Sequence, residues 1–437
     1  MSEKHNFGMD PVTCHAFSGD RKGLVLSQKS PEVKIYKQAG TKWQLADTLT
    51  EHGQRVTGID WAPNSNRIVT CGADRNAYVW SLESNGKWKP MLVILRINRA
   101  ATCVKWSPQE NKFAVGSGAR LISVSYYEED NNWWVSKHIK KPIRSTVTCL
   151  DWHANNVLIA AGSSDFKARV FSGYIKEVDK KPGPCSWGTK MPWGTNLAEF
   201  SNGGETGSGW VHSVSFSPSG DRLAWVGHDS SISVVDSNKG SELVCIKENF
   251  LPFMSITWVT ENSIVCAEYD CNPMLFTYTD SGKLNAVSKL DIPQEKESGQ
   301  ISVEVPEPCE TEAGSDQEEE DETPVSIINA MNRFKNLEKK ATTDDFSSDL
   351  KTQHQNTITQ VSIFAGTKSD CTKISTSGVD GNIIIWDLKS LEAWDCGTED
   401  CLGCCCPSVH SRQKHLSSRR SQLHIASLTF STYYYIN

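Results

Sequence analysis

One spacing constrains this chain more than any other feature. An aromatic residue closing a short apolar strand recurs at Phe17, Trp61, Trp106, Trp152, Phe216 and Trp258, with Ile363 as a degenerate seventh. The intervals are 44, 45, 46, 64, 42 and 105 residues. The clearest copy is VTGIDWAPNSNRIVTCGADRNAYVW, Val56 to Trp80. Apolar and polar residues alternate up to Trp61, turn residues follow at Pro63–Asn66, and two further apolar runs flank the turn near Asp74. That pattern is an up-and-down meander of short strands. A sheet so small cannot bury its faces alone and needs copies of itself alongside. Most intervals lie in or beside the period of a four-stranded propeller blade. The expected fold is therefore all-β, with seven blades in a closed ring and insertions where the intervals are long.

A repeat ring uses most of the 437 residues as one unit, so separate globular domains are not required. Residues near Phe7–Met9 are candidates for an outer strand of the last blade, which would leave no free sheet edge. No apolar run approaches membrane-spanning length, and MSEKHNFGMD has no signal-peptide core, so no membrane span and no export are expected. The 15 cysteines lack framework spacing and fit reduced, cytosolic thiols. The net charge of −7 is unevenly placed. Glu295–Glu322 holds twelve acids and one lysine, which leaves the rest of the chain at +4. The ordered body is mildly basic.

Two insertions stand out. Tyr174–Trp210 is rich in Pro and Gly and reads as a surface loop. Its Trp187, Trp193 and Trp210 are expected to cover the ring's own edge, with a partner contact as the alternative. The second insert, 293–355, begins with an acidic linker, 294–324, whose dense like charge predicts an extended, disordered segment. An amphipathic helix is expected over 325–341, with Ile327, Met331, Phe334 and Leu337 in one apolar stripe and Thr323-Pro324 at its start. Pattern alone leaves two fates for that stripe equally open: packing on the ring, or docking in a partner's groove.

Asp380-Gly381 is a hairpin turn signal between apolar strands, and Trp386-Asp387 follows it. These repeats resemble WD40 blades. That family's structural tetrad joins a loop His, a strand Ser/Thr, a turn Asp and a strand Trp. Residue by residue it falls on His52, Thr70, Asp74 and Trp80, and on His354, Thr376, Asp380 and Trp386. Such sets resemble catalytic chemistry, but a buried carboxylate at a turn must be paired, and His and Trp N–H groups can pair it. They read as structural staples. Asp165, Asp229 and Asp270 keep the turn position, while Ala161 and Trp225 replace the hydroxyl residue.

Longer segments resemble one family within that class. RIVTCGADRNAYVW (Arg67–Trp80), VILRINRAATCVKWSPQENKFAVGSGARLISV (Val93–Val124), WWVSKHIKKPIRST (Trp133–Thr146), GYIKEVD, KMPWG and AMNRFKNLEKKATT are similar to the WD-repeat subunit of the actin-related protein 2/3 complex, over roughly Phe7–Glu392. The resemblance implies a non-catalytic scaffold in the assembly that nucleates branched actin filaments. Actin-related protein 2 and the other subunits are then partners. A surface helping to receive acidic tails of nucleation-promoting factors is implied too, as is an insert helix offered to actin through Ile327, Met331, Phe334 and Leu337. It places the chain in the cytoplasm at the cell cortex and leading edge, with a nuclear pool allowed. The basic run Lys137, Lys140, Lys141 and Arg144 suits an acidic partner, and no nucleic-acid motif accompanies it. No phosphate loop, nucleophile elbow or HExxH motif argues for an enzyme, and no cofactor is expected. Another WD40 adaptor role, such as substrate receptor or chromatin reader, is the competing reading. Residues 393–437 resemble nothing in the family. Their Cys396, Cys401, Cys404, Cys405, Cys406, His410 and His415 are spaced too irregularly for a structural zinc site, and an unstructured terminus is expected.

Overall fold

The computed structural model describes residues 2–202, 209–247, 251–291 and 352–388. The acidic linker, the helix at 325–341 and the 393–437 tail lie outside them. The described residues belong to one unit, Met1–Ala393. They form seven four-stranded antiparallel sheets, six of which take their strands in sequence order. In blade 2 the strands are Val56–Trp61, Ile68–Gly72, Ala77–Leu82 and Trp88–Val93. The marker aromatics occupy one register position throughout, pairing as Phe17↔Leu24, Trp61↔Ile68, Trp106↔Phe113, Trp152↔Ile159, Phe216↔Leu223 and Trp258↔Ile264. Ile363↔Ile374 takes the same place in blade 7. The 105-residue interval therefore hides a true seventh repeat.

Each sheet buries both faces against its neighbours, giving seven apolar clusters, one at every junction. Between blades 1 and 2, Cys14, Val25 and Ile35 meet Ile59, Trp61 and Trp80. At the closing junction Phe17, Leu24 and Leu26 of blade 1 meet Ile383 of blade 7. Full burial of one such side chain contributes roughly 1.5–3 kcal/mol. The clusters thus make closure favourable, and the alternation in the sequence is its cause.

The inner strands are also tied by a repeated polar device. Six of them carry a β-bulge after the first paired residue, which sets the next side chain free of its own ladder. In four blades that residue is threonine, and its hydroxyl donates to the next blade's backbone. Thr57 reaches Ala101 O at 2.9 Å, Thr102 reaches Val147 O at 2.6 Å, Thr148 reaches Val211 O, and Thr359 reaches Val12 O at 2.7 Å. Around the axis lies a channel of about 450 Å³, and Lys368 reaches Asp151 at 2.6 Å there, joining blade 7 to blade 4.

The ring is closed by the N-terminus, one step earlier than the sequence suggested. The outer strand of blade 7 is Ser2–Asn6, not Phe7–Met9, in register Ser2↔Trp386 to Asn6↔Asn382. Asn6 donates to the Asn382 side chain at 2.8 Å, and the backbone turns away at Gly8, whose φ is +115°. Phe7 instead packs edge-on against Tyr36 of blade 1.

Tyr174–Trp210 is not a surface loop throughout: it contains the outer strand of blade 4, Asn196–Ser201, and the stretch before that strand is anchored. Lys112 is fully buried and ion-paired with Asp179, which also accepts from Ile175 N at 2.7 Å and Asn156 Nδ2 at 3.0 Å. Trp187 is buried and donates to Gly220 O at 2.7 Å, and Trp193 packs on the cluster between blades 3 and 4. Trp210 differs: half exposed, it stacks on His228 with ring centroids 5.5 Å apart.

Candidate partner-binding face

Antiparallel pairing decides what each end of a blade presents. The first strand begins, the second ends, the third begins and the fourth ends on the same face of the ring. The turns between second and third strands therefore share a face with the connections from one blade to the next.

The tetrads lie at this face. His52 Nδ1 is 2.9 Å from Asp74, its Nε2 is 2.8 Å from Thr70 Oγ1, and Trp80 Nε1 donates to that hydroxyl at 3.0 Å. In blade 7 His354 stands 3.1 Å from Asp380 and 2.7 Å from Thr376, and Trp386 Nε1 donates to Thr376 at 2.8 Å. Asp380 also accepts from Gln355 N at 2.9 Å and Asn382 Nδ2 at 2.7 Å. Burial opposes its ionisation, but these donors and His354 win and bring its carboxyl down to about 2. Burial lowers the His52 pKa against the pull of Asp74. His52, Thr70, His354 and Thr376 are buried, so no substrate can reach them. Gly72 and Gly378 make the arrangement sterically feasible. A Cβ on Gly72 would meet His52 Nδ1 at 2.8 Å, and one on Gly378 would meet Asp380 Oδ1 at 2.4 Å.

Other blades solve the same turn differently. In blade 5 Asn202 stands where the His does, donating to Asp229 at 2.9 Å and accepting from Trp225 Nε1 at 3.1 Å and Ser231 Oγ at 3.0 Å. In blade 4 Arg169 holds Asp165 at 2.9 Å and Glu199 at 2.8 Å. In blade 6 Glu268 replaces the glycine, pairing with Phe253 as Gly72 pairs with Val56. At this register position a side chain and a tetrad His exclude one another, as the Cβ contact at Gly72 shows. Among the described residues neither carboxyl oxygen has a hydrogen-bond partner, and Glu268 is fully buried. Burial, reinforced by Asp270 and opposed by Lys289, pushes its pKa up to about 7.

On this face, over blades 2 to 4, lies a groove of about 840 Å³. Its rim carries Arg96, Arg120, Lys140, Lys141 and Arg144, all exposed, and its floor includes the buried Ile97, Leu121 and Ile143. Arg96 and Lys140–Arg144 come from connections between blades, and Arg120 from the turn between Lys112–Ser117 and Leu121–Glu128. Strand parity gathers them. His138 braces one wall by bonding Leu95 O at 2.8 Å; burial lowers its pKa, the Leu95 bond opposes this, and Arg96 and Lys140 lower it further. Of the four basic residues singled out in the sequence, three line the groove. Lys137 does not: it pairs with Glu177 at 3.1 Å and sits 5.4 Å over the Tyr126 ring. Arg96 and Arg120 were not singled out, because they are distant in sequence from the KHIKKPIR run. The groove therefore presents exposed positive charge around an apolar floor.

Among the described residues no three His, Cys, Asp or Glu side chains cluster as metal ligands, and no helix is long and apolar enough to cross a membrane. The nine described cysteines are free thiols. Ile327, Met331, Phe334 and Leu337, like the tail's cysteines, lie outside the described residues.

Seven sheets joined first strand to outer strand, with two full His–Thr–Asp–Trp sets, define a WD-repeat β-propeller. A sequence model described as WD domain, G-beta repeat matches residues 43–81, 136–172 and 197–236. Each match runs from the outer strand of one blade to the third strand of the next. Over 390 residues the chain is 56% identical to the Xenopus laevis protein named actin-related protein 2/3 complex subunit 1A-B, covering 89% of this chain and 97% of that one. It is 44% identical over 379 residues to subunit 1 of Schizosaccharomyces pombe, covering 86% and 96%. Identity to the Arabidopsis thaliana subunit 1B is 40% over 392 residues, covering 89% and 97%. The chain belongs to the family of actin-related protein 2/3 complex subunit 1.

Proposed function

We propose that this chain is a non-catalytic scaffold subunit of the actin-related protein 2/3 complex, supporting actin nucleation and the formation of branched networks in the cytoplasm. Its ring is a rigid support, and its work is done by contact with actin-related protein 2, the other subunits and the actin filament. The groove rimmed by Arg96, Arg120, Lys140, Lys141 and Arg144 receives the acidic tails of nucleation-promoting factors. The insert helix at 325–341 contacts actin through Ile327, Met331, Phe334 and Leu337.

The groove carries this reading: five cations converge on an apolar floor without a neutralising partner among the described residues. Such a surface speeds and orients association with acidic segments more than it tightens it. The relatives' names, over nearly their whole length, support the choice of assembly.

The test is reconstitution of the complex with the full chain and two variants. Lys140→Glu/Lys141→Glu/Arg144→Glu is expected to leave co-elution with two actin-related proteins intact and to reduce activator-dependent actin polymerisation several-fold. Ile327→Asp/Met331→Asp/Phe334→Asp is expected to assemble normally and form fewer branches. Failure of the native chain to co-elute with actin-related proteins would refute the assignment, and loss of soluble protein in the second variant would place the helix in the core.

A further inference from the structure

Among the described residues, none of Arg96, Arg120, Lys140, Lys141 and Arg144 belongs to an ion pair. The same chain carries its own counter-charge. Residues 310–322, ETEAGSDQEEEDE, hold eight acids and no base.

The topology gives that run access to the groove's face. The insert leaves after the outer strand of blade 6, Leu284–Lys289, and returns before the inner strand of blade 7, Ile358–Ala365. A connection of that kind lies on the same face as those supplying Arg96 and Lys140. Departure and return are pinned together, because Asp291 accepts from Gln353 N at 2.5 Å and Gln353 Nε2 at 3.3 Å.

Length allows the contact as well. Asp291 and Glu310 are 19 residues apart, and Glu322 and Thr352 are 30 apart. Nineteen residues span at most about 60 Å fully extended and about 25 Å as a flexible coil. Two blades of four strands, at about 4.8 Å per strand spacing, plus the channel, come to roughly 40 Å across. The acidic run can therefore reach the groove from either anchor.

We propose that Glu310–Glu322 occupies the basic groove in cis and competes there with acidic segments of other proteins. This rests on the reading of the groove as an acidic-segment site and adds a built-in competitor. Tethering makes the contact intramolecular, with an effective concentration of about 1 mM for a flexible linker. Against an intrinsic Kd of about 100 μM, such a competitor weakens an outside acidic ligand about ten-fold. The contact is electrostatic and falls away as salt screens it.

The test uses the full chain and a fluorescein-labelled synthetic peptide, ETEAGSDQEEEDE, followed by fluorescence anisotropy at low ionic strength. One variant neutralises the run: Glu310→Gln, Glu312→Gln, Asp316→Asn, Glu318→Gln, Glu319→Gln, Glu320→Gln, Asp321→Asn and Glu322→Gln. A second adds Arg96→Glu, Arg120→Glu and Lys141→Glu, all exposed positions; matching thermal midpoints verify that both variants fold. The neutralised chain is expected to bind the peptide about ten-fold more tightly than the native chain, and the groove-reversed chain to lose binding. Equal affinity of native and neutralised chains, with binding still lost on groove reversal, overturns the cis contact while the groove remains an acidic-peptide site. No binding to the neutralised chain, or binding that survives groove reversal, overturns both.

Discussion

Glu268 offers the sharpest test of how the imperfect blades are held. It stands where blades 2, 5 and 7 have glycine, and its carboxyl is buried without a hydrogen-bond partner among the described residues. Burial, with Asp270 nearby, raises its pKa from 4.5 to about 7, against the opposing pull of Lys289. The unfolded chain releases this proton near the ordinary carboxylate value, while the folded chain holds it. Stability from Glu268 is thus fully present below about pH 4.5 and is lost as pH rises through 7. Moving the carboxyl pKa from 4.5 to about 7 corresponds to about 3 kcal/mol at saturation. With an unfolding entropy of about 2.1 cal/mol/K per residue over roughly 300 ordered residues, that amounts to about 5 °C in midpoint. Glu268→Gln removes the titration. It also leaves a buried amide, whose cost of about 1–3 kcal/mol does not vary with pH. The informative quantity is therefore the midpoint of the variant minus that of the native chain, scanned by calorimetry from pH 5 to pH 8. This difference is expected to rise by about 4–5 °C. A flat difference, or one that falls, would show that the native carboxyl is ionised and paired, and would refute the reasoning.

Two further outcomes follow from the closing blade. Thr376→Ala strands both Trp386 Nε1 and His354 Nε2, and is expected to destabilise by about 1–3 kcal/mol in urea unfolding. Asp380→Asn is expected to cost a similar amount at pH 7 and to flatten stability in acid. A carboxyl lowered from 3.8 to about 2 contributes above pH 3.8 and loses that contribution as pH falls through 2. Removing residues 1–6 takes away the outer strand of blade 7 and exposes the backbone of Asn382–Asp387 as a new edge. A lower thermal midpoint and concentration-dependent association in light scattering are expected, while an unchanged midpoint would mean that Ser2–Asn6 contributes nothing to closure.

The fold was legible because the aromatic marker reports register, and register repeats even where chemistry does not. Ile363 shows this: its side chain departs from the pattern, yet it pairs as Trp61 does. The two complete tetrads were legible because the Thr and the Trp keep fixed offsets from the turn Asp, even though the His lies 22 residues before it in blade 2 and 26 in blade 7. Asn202 was not, since an amide doing the work of an imidazole leaves no offset signature before the contacts are seen. The N-terminal strand was misplaced for a related reason. Its partner lies some 380 residues away, and five polar residues, none of them buried, carry no alternation of apolar and polar to mark it.

The groove was half legible. Lys140, Lys141 and Arg144 could be read from one run, but Lys137, in the same run, belongs to a strand and pairs away from it. A strand residue and a connection residue only four positions apart are sent to different places. Arg96 and Arg120, more than twenty residues apart, are brought to one rim. The governing rule is strand parity rather than proximity. Applied to the connection between blades 6 and 7, it puts the departure of the acidic insert on the groove's face as well. A basic run and a charged insert, read from the sequence as two separate features, are assigned to one face of the ring once each is placed at an end of its blade.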